Sequence, residues 1–249
     1  MTTIPIRLAT PADVPAVAHT LAVACEHDPV VAWLIPDPHP GTRVQTLHDL
    51  IALHLDDALT HPEARVEVMV DMAAVAVWHH HTPPEPLPAA LVREVAGRCA
   101  ARLHTLHTLI TRHRPDHPHH WLGALAAHPY YQGQRLAEQL LHRHHQHADT
   151  TGQPIHALAT TTHAHDWFTD HGYEPDTLLR LPDGPHLWLM RREPVPAPAP
   201  TAPPHDTSTG RQPAAPPLRH GPVPLPPHPR PAAPDSHQTA PALPANPDD

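Results

Sequence analysis

The tightest constraint on this fold comes from residues 121–160. Trp121-Leu122-Gly123-Ala124-Leu125-Ala126-Ala127 is an apolar run of strand length, ended by His128-Pro129. Leu136, Leu140 and Leu141 then open an amphipathic helix that fades near Thr150. Gly152-Gln153-Pro154 breaks the chain before a further strand candidate at residues 155–160. Two strands joined through a helix require a layered α/β arrangement.

The flanking segments extend this pattern. Ile4, Ile6 and Leu8 alternate with polar neighbours, and Thr10-Pro11-Ala12-Asp13 reads as N-cap, first-turn proline and acidic third residue. Val14, Val17, Leu21 and Ala24 recur at helical spacing, and Asp28-Pro29 stops this first helix; a second runs over about residues 43–59. Val66, Val68 and Val70 face a run at 74–78 across Asp71-Met72, the pattern of a hairpin. Met stands where a two-residue turn favours Gly, so a longer connection is expected. After a proline-rich break at 82–88, a long helix is expected over 89–111. Residues 163–171 form a short helix closed by Gly172, and 177–181 and 186–190 form a terminal hairpin through Pro182-Asp183-Gly184-Pro185. The order is β, α, α, β, β, α, β, α, β, α, β, β, with hairpins at the ends and helical connections between: an α/β fold on a mixed sheet.

Composition divides the chain. Beyond Glu193 roughly a third of residues are proline and large apolar types are scarce, which cannot repay the ordering entropy of a fold, so 194–249 is expected to be a disordered Pro-rich tail. Its segment Pro224-Leu225-Pro226-Pro227-His228-Pro229-Arg230-Pro231 favours polyproline II, but a drifting extension without a partner is the preferred reading. Residues 1–193 hold all 5 Trp and all 3 Tyr and suit one domain. Cys25 and Cys99 have no paired spacing, which fits a reducing cytoplasm rather than a disulfide scaffold. No secretory signal or membrane-spanning stretch is present, so a soluble cytoplasmic protein with no membrane partner is expected. The net charge is -9, and the 16 basic residues are all arginines, scattered rather than striped, which disfavours nucleic acid.

The 29 histidines, the missing lysine and the abundant Ala and Pro are read together as a bias toward G and C in the codons. Clusters such as His79-His80-His81 or His142, His144, His145 and His147 lack HExxH or mixed Cys/His spacing, so no physiological metal site is expected.

Gln132-Gly133-Gln134-Arg135-Leu136-Ala137 sits between the 121–127 strand and its helix. A turn into a helix leaves backbone N–H groups without intrahelical partners, and with the positive helix end they form a phosphate site. Small residues such as Gly133 and Ala137 let a phosphate approach. The hexapeptide resembles the pyrophosphate motif Q/R-x-x-G-x-G/A of GNAT-type N-acetyltransferases, with Arg135 where that family prefers glycine. Arg135 could still offer its forked donors to a phosphate. His165-Asp166-Trp167-Phe168-Thr169-Asp170-His171-Gly172-Tyr173-Glu174 resembles the family's later L-Y-E-R-x-G-F-E motif. Ile6-Arg7-Leu8-Ala9-Thr10, Asp13-Val14-Pro15, the run 73–78, Arg114-Pro115 and Leu187-Trp188-Leu189-Met190 are similar to puromycin N-acetyltransferase-like members, so the resemblance covers about residues 4–193.

The resemblance implies a mostly antiparallel central sheet flanked by helices, acetyl-CoA as acyl donor, and a primary amine, such as one on a small molecule, as acceptor. It implies that strands near 122–127 and 155–160 splay apart around the pantetheine arm, which pairs with backbone near Leu125 and Ala127. Leu125, Ala126, Ala127, Gln132, Gly133, Gln134, Arg135, Leu136, Ala137 and Phe168 are the cofactor-binding candidates, and the acceptor pocket falls between the first two helices and the terminal hairpin.

Direct transfer needs a base for the amine and an acid for the thiolate. The usual tyrosine acid is Phe168 here, Leu158 replaces a common acidic residue, and Ala164 replaces a common asparagine. Two accounts stay open. Positioning and backbone polarisation carry transfer with water moving protons, or His163 and His165 have taken over. No catalytic residue is assigned; Trp167 and Tyr173 are read as core aromatics. An acyl-CoA-binding protein of this fold without turnover is the alternative function.

Overall fold

The computed structural model describes residues 5–37, 39–80 and 97–196. Among them a seven-stranded sheet runs in the order β1-β2-β3-β4-β5-β7-β6, with β1 Ile6–Leu8, β2 Ala64–Met69, β3 Ala74–His80, β4 His120–Ala127, β5 Ile155–Ala159, β6 Glu174–Arg180 and β7 His186–Arg192. Only β4 and β5 pair in parallel, joined by α5 Leu136–Thr151. The other pairings are antiparallel, so the expected mixed, mostly antiparallel sheet is what forms.

Helices cover both faces, which is why β3 reads as unbroken apolar residues rather than as an alternation. Val75 and Val77 pack with Val66 and Val68 under α1 Val14–Ala24 and α3 Pro40–Thr60. Ala74, Ala76 and Trp78 turn the other way and meet Leu136, Leu140 and Leu141 of α5 and Phe168 of α6 Thr162–Asp170.

Asp28-Pro29 does more than end α1. Asp28 is the N-cap of a further helix, α2 Pro29–Leu34, accepting from Val30 N at 2.8 Å and Val31 N at 3.3 Å, with proline in the first turn. The same dipeptide is a stop signal for one helix and a start signal for the next, and α2 is too short to show periodicity. The 70–73 connection confirms a turn longer than two residues: Asp71 and Met72 both take positive φ, 57° and 54°. The helix expected over 89–111 is α4 Ala100–His113, preceded by a single 3-10 turn Gly97–Cys99; residues 89–96 and the 82–88 break lie outside the described residues. So do Ile4 and the Pro-rich stretch 224–231. Past β7 the described chain is tied down at Val195, whose N–H donates to Asp149 at 2.9 Å. No described helix is long and apolar enough to cross a membrane.

The terminal hairpin is held to α2 through Trp33, whose Nε1 donates to the Pro182 carbonyl at 2.9 Å. Gly184 lies against that ring, and a Cβ there would stand 2.6 Å from Trp33 Cδ1 and 2.9 Å from Leu181 Cβ. Gly184→Ala is therefore expected to cost about 1–2 kcal/mol by displacing Trp33. A thermal melt unchanged from wild type would show that the ring shifts freely.

Candidate functional site

The parallel pair sets up the site. β4 and β5 pair only through His120↔Ile155, Trp121↔His156 and Leu122↔Ala157, and no residue of β5 pairs with 123–127. β4 stays fastened to β3 as far as Ala127↔Ala74, and β5 to β7 as far as Ala159↔Trp188, so the two strands part rather than fray. A bulge in the β3–β4 ladder falls between Val77 and Trp78, opposite Gly123, where the parting begins. The result is a wedge with free backbone edges on both walls.

Beyond β4, the 3-10 turn Pro129–Tyr131 leads into the loop that opens α5. Gly133 has φ 79°, and Arg135, the N-cap of α5, has φ 59°. That conformation is natural to glycine and strained for a residue with a Cβ. No side chain caps this helix, so its first N–H groups face the loop unclaimed by a capping group.

Arg135 is paired within its own helix. Its guanidinium makes a two-pronged pair with Glu138, one turn on, through Nε and Nη2. The pairing holds the Glu138 carboxyl below its usual range and raises the Arg135 guanidinium, chiefly through these hydrogen bonds. Glu138 Oε1 also lies 3.8 Å from His171 Nε2.

Wedge and loop enclose a groove of about 540 Å³, whose lining includes Leu125, Ala126, Ala127, Gln132, Gly133, Arg135, Leu136, Ala137 and Phe168. Of the ten candidate residues only Gln134 stays outside the lining; its N–H donates to the Tyr131 carbonyl at 3.4 Å. Tyr131 and Glu138 also line the groove and were not singled out from sequence, and so does Trp167, read from sequence as a core aromatic and partly buried against the core. The one available signal was the Arg135-to-Glu138 spacing, which lets side chains meet on a helix.

The structure separates the two candidate histidines. His163 lines the groove with Ala164, whereas His165 Nδ1 lies 2.9 Å from Asp166 Oδ1 and its ring is 5.4 Å from Trp188. Phe168 is 6% exposed, its ring 5.3 Å from Trp167 and 5.0 Å from Tyr173. Tyr173 is a core residue, its hydroxyl 3.2 Å from His145 Nε2, and burial raises its phenol well above the usual value. Leu158 packs beside Val30, Leu179, Leu181 and Leu187, near the meeting of α2 with the terminal hairpin. Thr160 at the end of β5 donates to Asp28, tying the wedge to the start of α2.

The architecture is found in solved acetyltransferases. A structure described as histone acetyltransferase HPA2 and related acetyltransferase, from Corynebacterium glutamicum ATCC 13032, matches at a TM-score of 0.61 and 25% identity over 80% of this chain and 99% of that one. Arylalkylamine N-acetyltransferase 2 from Aedes aegypti matches at 0.50 and 14% identity, over 77% and 99%. The C-terminal condensation domain of Ebony, in complex with beta-alanyl-dopamine, matches at 0.52 and 10% identity, over 78% and 100%. No protein-family model matches the chain. The chain has the fold of the GNAT-type acetyltransferases.

Proposed function

We propose that this protein is an acetyl-CoA-dependent N-acetyltransferase acting on a primary amine, with a small molecule as acceptor. The observation that carries this reading is the parting of β4 and β5 after Leu122 and Ala157, with the uncapped start of α5 at its mouth. The residues present fit the donor: free strand edges suit an amide-bearing arm, and Gly133 and Ala137 leave room for a pyrophosphate against backbone N–H groups. Bound there, acetyl-CoA supplies the activated acyl group as a thioester. Leu125, Ala126 and Ala127 hold and orient by backbone, Gln132, Gly133, Arg135, Leu136 and Ala137 surround the phosphates, and Phe168 closes the wedge wall against water. Among the described residues His163 is the one imidazole on the lining, and it is the candidate for relaying the amine proton. Among structural neighbours, the arylalkylamine enzyme and the β-alanyl-dopamine-bound domain favour an amine-bearing small molecule as acceptor, as does the sequence pattern shared with puromycin N-acetyltransferase-like proteins.

The test is thiol release from acetyl-CoA across a panel of amines, run beside calorimetric titration with acetyl-CoA. Binding with amine-dependent turnover supports the proposal. Binding without turnover across the panel supports the second reading, an acyl-CoA-binding protein that has lost chemistry, which the apolar Leu158, Ala164 and Phe168 favour.

Glu138 gives a sharper check on the phosphate site. Its carboxylate lines the groove and occupies Arg135, so it opposes a phosphate both by its own charge and by withholding a forked donor. Glu138→Gln is expected to lower the acetyl-CoA Kd about two- to fivefold, an effect that shrinks with added salt. Weaker binding in this variant would mean that the Arg135–Glu138 pair shapes the loop rather than competing with ligand.

A further inference from the structure

Three histidines distant in sequence meet beneath α5. His80 on β3 and His120 on β4 are register partners, their rings 4.3 Å apart. His144 of α5 lies flat on Trp78 at 3.6 Å and 2°, and its ring centre is 4.9 Å from His120 and 5.6 Å from His80. One nitrogen from each of the three rings lies within 4.8 Å of the others. His147, one helical turn further, stands 5.6 Å from His80 and 5.5 Å from His120. The clusters visible in sequence each contribute selectively, because alternation along a strand and the helical period send neighbouring histidines to different faces.

The hydrogen bonds orient the His120 ring. The Thr151 hydroxyl donates to the Ala148 carbonyl at 3.1 Å, so its oxygen accepts from His120 Nε2–H at 3.2 Å. With His120 Nε2–H donating, its lone pair is on Nδ1, which accepts from His144 Nε2–H at 3.0 Å, and a metal bound by both nitrogens takes the place of that shared proton. His120 and His144 are 0% and 3% exposed, while His80 is half-buried and His147 exposed, so the cluster has a closed floor and one side open to solvent.

We propose that His80, His120 and His144 form a zinc site that fastens α5 to β3 and β4, with the fourth position open to water on the side of His147. An all-imidazole set suits zinc, and tetrahedral Zn–N bonds place ligand nitrogens about 3.4 Å apart, so the 3.0 Å contact opens only slightly on binding. α5 begins at the loop of the groove, so the metal would anchor the middle of the helix that presents the candidate phosphate site.

The test uses the full chain, stripped with chelator and titrated with Zn²⁺ alone. One tight equivalent per chain is expected, and at a hundredfold excess over Kd the melting temperature rises by about 5–10 °C. Co²⁺ in its place gives the intense visible absorption of a tetrahedral centre. His120→Gln and His144→Gln abolish the tight equivalent. His80→Gln, at the half-buried rim, abolishes or weakens it at least tenfold and covers the case where the buried variants fail to fold. The double variant His142→Gln with His171→Gln removes the second histidine group near Glu138 and leaves tight binding intact. Weak binding at several equivalents in the wild type, or His80→Gln binding as tightly as wild type, overturns the proposal.

Discussion

Phe168→Tyr is expected to raise turnover about ten- to a hundredfold with the best amine of the panel, because it returns a proton donor to a groove that lacks one at this position. Phe168 is 6% exposed and lines the groove beside Ala164 and Trp167. Tyrosine keeps the same aromatic packing against Trp167 and Tyr173 and adds only a hydroxyl. Acetyl-CoA affinity should stay near wild type if, as proposed, backbone edges and loop N–H groups hold the donor and this ring only walls the groove. The readout is kcat from thiol release, with KM for acetyl-CoA as the control. Equal or slower turnover in a folded variant would mean that water or His163 already protonates the leaving thiolate and that position 168 is only wall.

The second large effect is acid sensitivity centred on His156. The residue is 1% exposed on β5, and among the described residues neither of its ring nitrogens has a hydrogen-bond partner. Burial, and then the positive fields of His119, Arg191, His117 and Arg114, push its imidazole down to about 3. An unfolded histidine titrates near 6.5. Between those two values the unfolded chain binds a proton that the folded chain refuses, so stability falls as pH falls. From pH 7 to pH 4 this one group is expected to cost about 3 kcal/mol. His79 and His145, pushed down to about 4 and about 3 mainly by burial, add to the slope. The readout is therefore the difference between two proteins: His156→Leu, which also removes two buried polar atoms, should unfold at a clearly lower pH than wild type. Parallel loss of stability in both on acidification would show that His156 is not the source.

Much of the frame was legible because its signals are local. The Thr10 to Asp13 capping sequence, the periodicity of α1 and α5, and the missing glycine at Asp71-Met72 each act within a few residues, and each element forms where those signals place it. The short helix α2 escaped because six residues give no period to read. At the groove, small residues and backbone could be assigned from the turn-to-helix pattern. The partner of Arg135 could not, because a guanidinium near a helix start reaches a phosphate or a carboxylate equally well.

The sequence by itself determined a strand, a glycine-containing turn and a helix in one continuous stretch, since propensity and periodicity are properties of neighbours along the chain. The family resemblance leads to the expectation that these two strands splay; only the tertiary structure decided that β4 and β5 part after three register pairs, because that depends on what β3 and β7 hold from either side. It likewise decided that Arg135 turns onto Glu138, and that His80, His120 and His144 converge from three segments. The parting and the histidine cluster follow from register and helix placement across the core, which couple residues dozens of positions apart. The Arg135–Glu138 pair is local, and its spacing shows in the sequence while the choice of carboxylate over ligand does not.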